Sequence, residues 1–258
     1  MGRAVSPVFA DLAGRVAVVT GGSGSIGAAT CRLLAAQKMR LAVVGRDEVA
    51  LRRVREQVRE DGVEAIAIAA DCTDPAAIAW LRGRVASELG PVDALVAFAG
   101  GNGAPHASVE LPVEQWRRTI EGNLTATFLT VQAFLPGMVA RGRGSVVTMS
   151  SSAGRAPARA NVAYAVAKAG VVMLTRHLAA ELAPAGVRVN CLAPSAVHNA
   201  KLDRQLSPDQ LRTLGRSFPL GRIGEPSDIA AATAYLASDA SSWITGVTLD
   251  VSGGKVIP

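Results

Sequence analysis

Cysteine is scarce in this 258-residue chain, and the three present, Cys31, Cys72 and Cys191, stand far apart with no Cys-x-x-Cys spacing. That excludes a disulfide framework and leaves too few soft ligands for a structural zinc. The three histidines, His106, His177 and His198, are equally scattered, so no metal site is expected. No apolar run approaches the ~18 residues that cross a bilayer, which argues against a membrane protein. The first twelve residues lack a continuous apolar segment followed by a small-residue cleavage site, so no secretory leader is expected and a cytoplasmic location is the default. Lysine is rare as well, with Lys38, Lys168, Lys201 and Lys255 alone, and the arginines are dispersed. A net charge of +6 spread in this way describes a solvated surface, compatible with acidic ligands but giving no nucleic-acid footprint. Charged residues at 19% against 49% hydrophobic exclude a disordered chain and leave ample material for a core.

What is present is a rhythm. Short apolar, β-branched runs at 15–20, 41–45, 64–69, 92–98, 144–150, 187–192 and 247–251 read as buried strands. Between them, stretches such as 25–37, 47–61, 75–89, 112–141 and 161–183 are long and regular enough for helices. Strand–helix alternation of this kind predicts one doubly wound α/β domain over residues 1–258, a mainly parallel sheet of about seven strands with helices on both faces. The rhythm breaks at 193–221, where a long connection carries its own short helix, with Ser207 as N-cap, Pro208 in the first turn and Gln210 completing a capping box. A connection of this length usually has a job, and about 195–220 is read as an insertion facing substrate.

The first strand runs into Thr20-Gly21-Gly22-Ser23-Gly24-Ser25-Ile26-Gly27 and then directly into a helix. Glycines let the backbone approach a pyrophosphate, and a helix N-terminus offers unpaired N–H groups and a positive dipole end. Gly21, Ser23, Gly24, Ser25, Ile26 and Gly27 are therefore candidate dinucleotide contacts. The second strand ends Val43-Val44-Gly45-Arg46-Asp47. An NAD site normally places an acid here for the ribose 2′-hydroxyl, whereas an arginine pairs with a 2′-phosphate. Gly45 removes the acid and Arg46 supplies the cation, which points to NADP(H); the alternative makes Arg46 an ordinary surface residue and Asp47 a helix cap. Asp71, ending the third strand, either accepts from the adenine amino group or is a turn residue ahead of Pro75.

Tyr164 and Lys168 stand four apart in a strongly helical stretch and so share a face. An ammonium at this spacing is expected to lower the phenol pKa by Coulomb attraction, making the tyrosine a proton donor and acceptor near neutral pH. Ser151 follows the fifth strand, at the strand end that faces the ligand crevice in a doubly wound sheet, where a hydroxyl can hold a substrate carbonyl.

With these features in this order, the chain resembles the short-chain dehydrogenase/reductase family in its classical branch, from Gly14 to Gly254. The resemblance is carried by the glycine turn, Asp71, Asn123 in Gly122-Asn123-Leu124, Ser151, Tyr164-x-x-x-Lys168, Arg188-Val189-Asn190, Pro219-Leu220-Gly221-Arg222 and Val251-Ser252-Gly253-Gly254. It implies a Rossmann-type fold with Tyr164 as general acid/base, Ser151 orienting the carbonyl and Lys168 binding the nicotinamide ribose. Asn123 then holds a water that continues the proton relay; the other reading of Asn123 is a helix-interior amide bonded to backbone. Cys72, Ala99, Gly100, Pro194 and Val197 complete the cofactor contacts so implied, Val197 through its backbone. A homotetramer is implied too, consistent with apolar residues on several faces of the two long helices, Phe128, Leu129, Val171, Val172 and Met173 among them.

The departures from the family pattern are equally specific. Ser25 replaces the middle glycine of the usual turn, with Gly24 before it. Phe98 stands where an asparagine usually bonds neighbouring strands, so another group must satisfy that backbone. After the sixth strand, Ser195 and Asn199 replace a glycine and a threonine. The reading is an NADPH-dependent carbonyl reductase of a small ketone, most similar to the beta-ketoacyl-ACP reductase group and so open to acyl thioesters. The alternatives are a secondary-alcohol or polyol dehydrogenase and a non-catalytic NADP-binding protein. For a carrier-bound substrate Arg141 and Arg143 are the docking charges, but a further basic position falls on Ala180, with Arg176 one turn earlier as a substitute, so only a modest carrier advantage is expected. Leu202, Leu206 and Leu211 are expected to line a lid over an apolar substrate.

Overall fold

The computed structural model describes residues 8–257; residues 1–7, part of the stretch read for a leader, lie outside the described residues. Seven parallel strands form one sheet: β1 (Val16–Thr20), β2 (Arg40–Gly45), β3 (Ala65–Ala69), β4 (Ala94–Ala97), β5 (Gly144–Met149), β6 (Val187–Pro194) and β7 (Thr248–Val251). Their spatial order is β3-β2-β1-β4-β5-β6-β7. Side chains alternate across the pleat, so Val16 and Val18 of β1 enter one core while Ala17 and Val19 enter the other. The first core is closed by α3 (Pro75–Glu88), α5 (Ala126–Ala140) and α6 (Val162–Leu182), the second by α1 (Ser25–Ala36), α2 (Glu48–Arg59) and α9 (Pro226–Ala237). This is the doubly wound Rossmann-type architecture expected from the alternation, and every strand pair is parallel.

The helix expected over 112–141 is three pieces. α4 (Val113–Ile120) passes into a π turn, Glu121–Thr125, before α5. Asn123 accounts for the break: its side-chain amide donates to the Thr119 carbonyl at 2.8 Å, and the Ala126 N–H reaches back to Glu121. The continuous stretch from Val113 to Ala140 spans 28 residues and, by length and composition alone, is apolar enough to cross a bilayer, contrary to the expectation from sequence. It is packed on the sheet, with Ala126, Val131, Phe134 and Met138 in the same core as Leu95 and Val146. Of the apolar residues expected to seek burial, Val171 and Val172 are buried and Met173 and Phe128 are exposed.

The connection after β6 holds two helices rather than one, α7 (Ala200–Gln205) and α8 (Pro208–Arg216). The capping box forms as read, with Gln210 N–H donating to Ser207 Oγ at 3.3 Å and Ser207 N–H donating to Gln210 Oε1 at 2.8 Å. Helix α9, not assigned from sequence, begins at Pro226 and is capped by a box between Glu225 and Asp228.

Phe98, which lacks the amide that usually ties this strand end, is served from β1. The fully buried Thr20 hydroxyl accepts from both Phe98 N–H and Ala99 N–H at 3.1 Å. Thr20→Val keeps the shape and strands both donors, so it is expected to lower stability by about 1–3 kcal/mol, read as an earlier midpoint in urea denaturation.

Candidate active site

Strand order reverses between β1 and β4, and a crevice opens beyond their carboxyl ends. The cleft there has a volume of about 850 Å³. It is lined by the glycine turn (Gly21, Ser23, Gly24, Ser25, Ile26, Gly27), Arg46, Asp71, Cys72, Ala99, Gly100, Asn123, Tyr164 and Lys168. Segments separated by more than a hundred residues thus meet as expected from sequence. Ser151, Pro194 and Val197 do not line it, although the Ser151 hydroxyl is near enough to the Tyr164 phenol to lower its pKa. Leu202, Leu206 and Leu211 are half-buried and also absent from its wall. A larger cavity of about 940 Å³, between α1, α9 and the end of β7, contains none of the candidate residues.

The turn after β1 is shaped by backbone approach. Gly21 has φ +66°, and a Cβ there would meet the Phe98 carbonyl oxygen at 2.7 Å; one on Gly27 would meet the Gly21 oxygen at 2.1 Å. Gly24 is the N-cap of α1 and brings no side chain to the helix end, and no acid lies in the first turn. The helix N-terminus therefore faces the cleft without a cap from its own chain. Ser25, in place of the family's glycine, is the first helical residue and is exposed, so its side chain is accommodated.

Several polar residues already have structural partners. Asp47 caps α2 by accepting from Ala50 N–H at 3.0 Å, while Arg46 is exposed on the cleft rim with no hydrogen bond or ion pair among the described residues. Asp71 Oδ1 accepts from Thr73 N–H at 2.9 Å and from its hydroxyl at 2.8 Å; the backbone bond first, then the hydroxyl, holds this carboxyl below its ordinary pKa. Asn123 pairs with Gly101 in both directions, Gly101 N–H donating to Oδ1 at 3.0 Å and Nδ2 donating to Gly101 O at 2.9 Å. Asn199 Oδ1 caps α7 and its Nδ2 donates to the Val197 carbonyl at 2.9 Å, so it is committed to the backbone rather than to a ligand. Val197 is buried and bridges Gly224 through its neighbours' groups, which turns its own N–H and C=O away from that partner.

Around Tyr164 the packing is close. Asn161 caps α6 by accepting from Tyr164 N–H at 2.9 Å, which starts the helix at Val162, two residues before the phenol. Lys168 Nζ lies 5.6 Å from the Tyr164 ring centroid and donates to the Met149 carbonyl at 2.9 Å. Gly100 makes room, since a Cβ there would sit 2.5 Å from Asn123 Oδ1 and 3.4 Å from Lys168 Nζ. Burial pushes the Tyr164 phenol above its ordinary value, opposed by the Ser151 hydroxyl. The lowering expected from Lys168 is not found: the group that lowers the phenol is Ser151, and burial outweighs it. Lys168 is 3% exposed, and desolvation brings its ammonium down from 10.5 to about 8.

A family model described as "Enoyl-(Acyl carrier protein) reductase" matches residues 21–255. The chain is 41% identical to cis-4-hydroxycyclohexanecarboxylate dehydrogenase of Sinomonas cyclohexanicum over 241 residues, 93% of this chain and 96% of that one. It is 39% identical to galactitol 2-dehydrogenase (L-tagatose-forming) of Cereibacter sphaeroides, over 95% and 96% of the two chains. Among solved structures, NAD+-bound xylitol dehydrogenase superposes with a TM-score of 0.89 at 30% identity, covering 94% of this chain and 99% of that one. The chain belongs to the short-chain dehydrogenase/reductase family of oxidoreductases, in its classical branch.

The buried ammonium has a thermodynamic signature. Its folded pKa lies below its unfolded one, so the charge penalises folding in full below about pH 8 and the penalty fades as pH rises toward 10.5. The size is roughly 3 kcal/mol, partly offset by the bond to Met149. Melting temperatures of Lys168→Met and the parent, compared from pH 7 to pH 10, are expected to favour the variant most at the low end and to converge at the high end.

Proposed function

We propose that the protein is an NADP(H)-dependent dehydrogenase/reductase that interconverts a small secondary alcohol and its ketone, with Tyr164 as the proton-transfer group. The observation that carries this reading is the placing of Tyr164 and Lys168 at one end of a cleft, with Ser151 beside the phenol just off its wall, while the other end is an uncapped helix N-terminus and a glycine turn. That grouping also weighs against a binding protein without catalysis.

The residues present fit a dinucleotide. The cradle at Gly21 and Gly27 is one that any Cβ would fill, and the first N–H groups of α1 suit a diphosphate. Arg46 has no hydrogen bond or ion pair among the described residues, only a Coulombic influence on Asp71, and the nearby acids are engaged, Asp47 as a cap and Asp71 in a turn. This favours a 2′-phosphate over a bare ribose, although the xylitol enzyme was solved with NAD+. Cys72 and Asp71 would flank the adenine, and Ala99, Gly100, Pro194 and the Val197 backbone the nicotinamide half. A bound nicotinamide accepts or supplies the hydride.

The chain's own groups handle the proton. Ser151 Oγ accepts from Ala153 N–H at 3.2 Å, which leaves its O–H to donate to a substrate oxygen. Tyr164, held protonated at neutral pH by burial, donates to that oxygen in reduction and takes the proton back in oxidation. Lys168 holds positive charge beside the ring and is placed to bind the nicotinamide ribose. Asn123 serves this reading first as a brace, because its amide is bonded to Gly101 and Thr119.

For the substrate we favour a small free alcohol or ketone over a carrier-bound thioester. Arg141 donates to the Val92 carbonyl and Arg143 pairs with Asp93 at 2.9 Å, so both expected docking charges have internal partners. The cyclohexane-carboxylate and galactitol dehydrogenases named above act on ring and polyol secondary alcohols, and the same substrate class is proposed here. A cytoplasmic homotetramer, with 195–220 on the substrate side, completes the proposal; exposed Met173, Phe128 and Val166 support the assembly.

A panel of cyclic alcohols, polyols and ketones followed by NADPH absorbance tests the function, and Tyr164→Phe is expected to lower kcat at least about 10²-fold with cofactor binding retained. Turnover near that of the parent removes the mechanism. For the cofactor, Arg46→Ala is expected to raise KM for NADPH by about tenfold and leave KM for NADH unchanged, as loss of one charge-assisted contact requires.

A further inference from the structure

Ser151 leaves β5 in extended backbone, φ −162° and ψ 159°, and caps a single 3₁₀ turn, Ser152–Gly154. Three backbone bonds close that turn on itself: Gly154 N–H to Ser151 O at 2.9 Å, and Arg155 and Ala156 N–H to Ser152 O at 3.1 and 3.0 Å. None of these fixes the turn relative to the sheet, and beyond it residues 156–159 are exposed. The position of the Ser151 hydroxyl therefore depends on ties to other elements.

Ser150, the residue before Ser151, is held by its N–H on Leu192 O at 2.8 Å and its hydroxyl on Lys168 O at 2.7 Å, and three further ties hold the turn that follows. Gly154 lies flat on α6, where a Cβ would meet the Lys168 carbonyl carbon at 2.5 Å. Ser152 Oγ donates to Ser195 Oγ at 3.2 Å, a single neutral bond to the end of β6. Arg155, the residue after the turn, reaches Asp250 on β7. Its Nε lies 3.1 and 3.3 Å from Oδ1 and Oδ2, and its Nη2 lies 3.0 Å from Oδ2. This is the charged tie, and its side chains are 17% and 9% exposed, so salt screens it little. A planar guanidinium bound along one edge by two N–H groups also fixes direction, which a single hydroxyl bond does not. Asp250 is in register with Ala193 of β6, and no residue of β7 lines the catalytic cleft.

We propose that Arg155 and Asp250 are a positioning pair, which sets the Ser151 hydroxyl against Tyr164 from the edge strand of the sheet. The inference rests on the catalytic reading of Ser151 and Tyr164 above. A carboxylate with no access to substrate then acts on turnover through one turn of backbone, as supporting shells do elsewhere. The pair leaves the cofactor half untouched, because β1, the glycine turn and Arg46 share no bond with it.

The test is a double-mutant cycle for oxidation of the best alcohol in the panel with NADP+, using the full chain. Arg155→Met and Asp250→Asn are each expected to lower kcat by about ten- to a hundredfold, with KM for NADP+ within about twofold. Arg155→Lys is expected to restore part of the loss. The pH of half-maximal oxidation is expected to move upward, because the Ser151 hydroxyl is what opposes burial at the phenol. In a Ser151→Ala background, Arg155→Met is expected to cost no further kcat. An equal loss in both backgrounds, or a parallel rise in cofactor KM, overturns the positioning role and leaves the pair as general scaffolding. If Ser151→Ala alone leaves kcat unchanged, the catalytic reading of Ser151 fails and the positioning role falls with it. Where Arg155→Met does not fold, Arg155→Lys and Asp250→Asn carry the same comparison in both backgrounds.

Discussion

The cleft depends on one pairing, that of β1 with β4. Because β1 also pairs with β2 on its other edge, the chain leaves the sheet in opposite senses on the two sides of this seam, and a crevice opens where the turns diverge. The seam is closed at atomic distance. The Thr20 hydroxyl holds two backbone N–H groups of the β4 end, and Gly21 lies against the Phe98 carbonyl with no room for a side chain. The glycine turn and the end of β4 are thus two faces of one joint, and a change at either is felt at both.

Polar residues at this joint serve the backbone before any ligand. Asp47 opens α2, Asp71 closes a turn, Asn123 holds a π turn against Gly101, and Asn199 caps α7 while securing the Val197 carbonyl. Each pins a segment whose backbone lines the cleft or lies beside it. Lys168 takes this furthest, since its ammonium is almost fully buried and bonded to the last residue of β5. A charge kept there against desolvation is fixed in position, and it is lost as pH rises through about 8.

The parts legible in the sequence are those governed by local pattern. Strand alternation, the glycine turn before α1, the Ser207–Gln210 box and the shared face of Tyr164 and Lys168 all follow from spacing within a few residues. The need for a substitute at Phe98 was legible, but not its supplier, because Thr20 is 78 residues away and looks like any buried strand threonine. The π turn was hidden because its cause is the side-chain bonding of Asn123, which periodicity does not report. Helix α9 has small apolar residues around its surface and so gives no clear stripe. The Tyr164 pKa went the other way from expectation because sequence spacing suggests a Coulomb attraction and does not report the burial. The Arg155–Asp250 pair, 95 residues apart, leaves no sequence trace.

The glycine contacts divide the molecule by tolerance to change. At Gly27 on Gly21, Gly100 on Asn123 and Gly154 on Lys168, backbone meets its neighbour with no space for one further carbon. Replacement at these points moves main chain, and selection over generations has little to work with there. Segments 101–111 and 195–218 carry few such contacts, and 101–111 is almost wholly exposed. Those stretches can therefore be rewritten, lengthened or shortened at little cost to the backbone contacts that hold the rest of the fold.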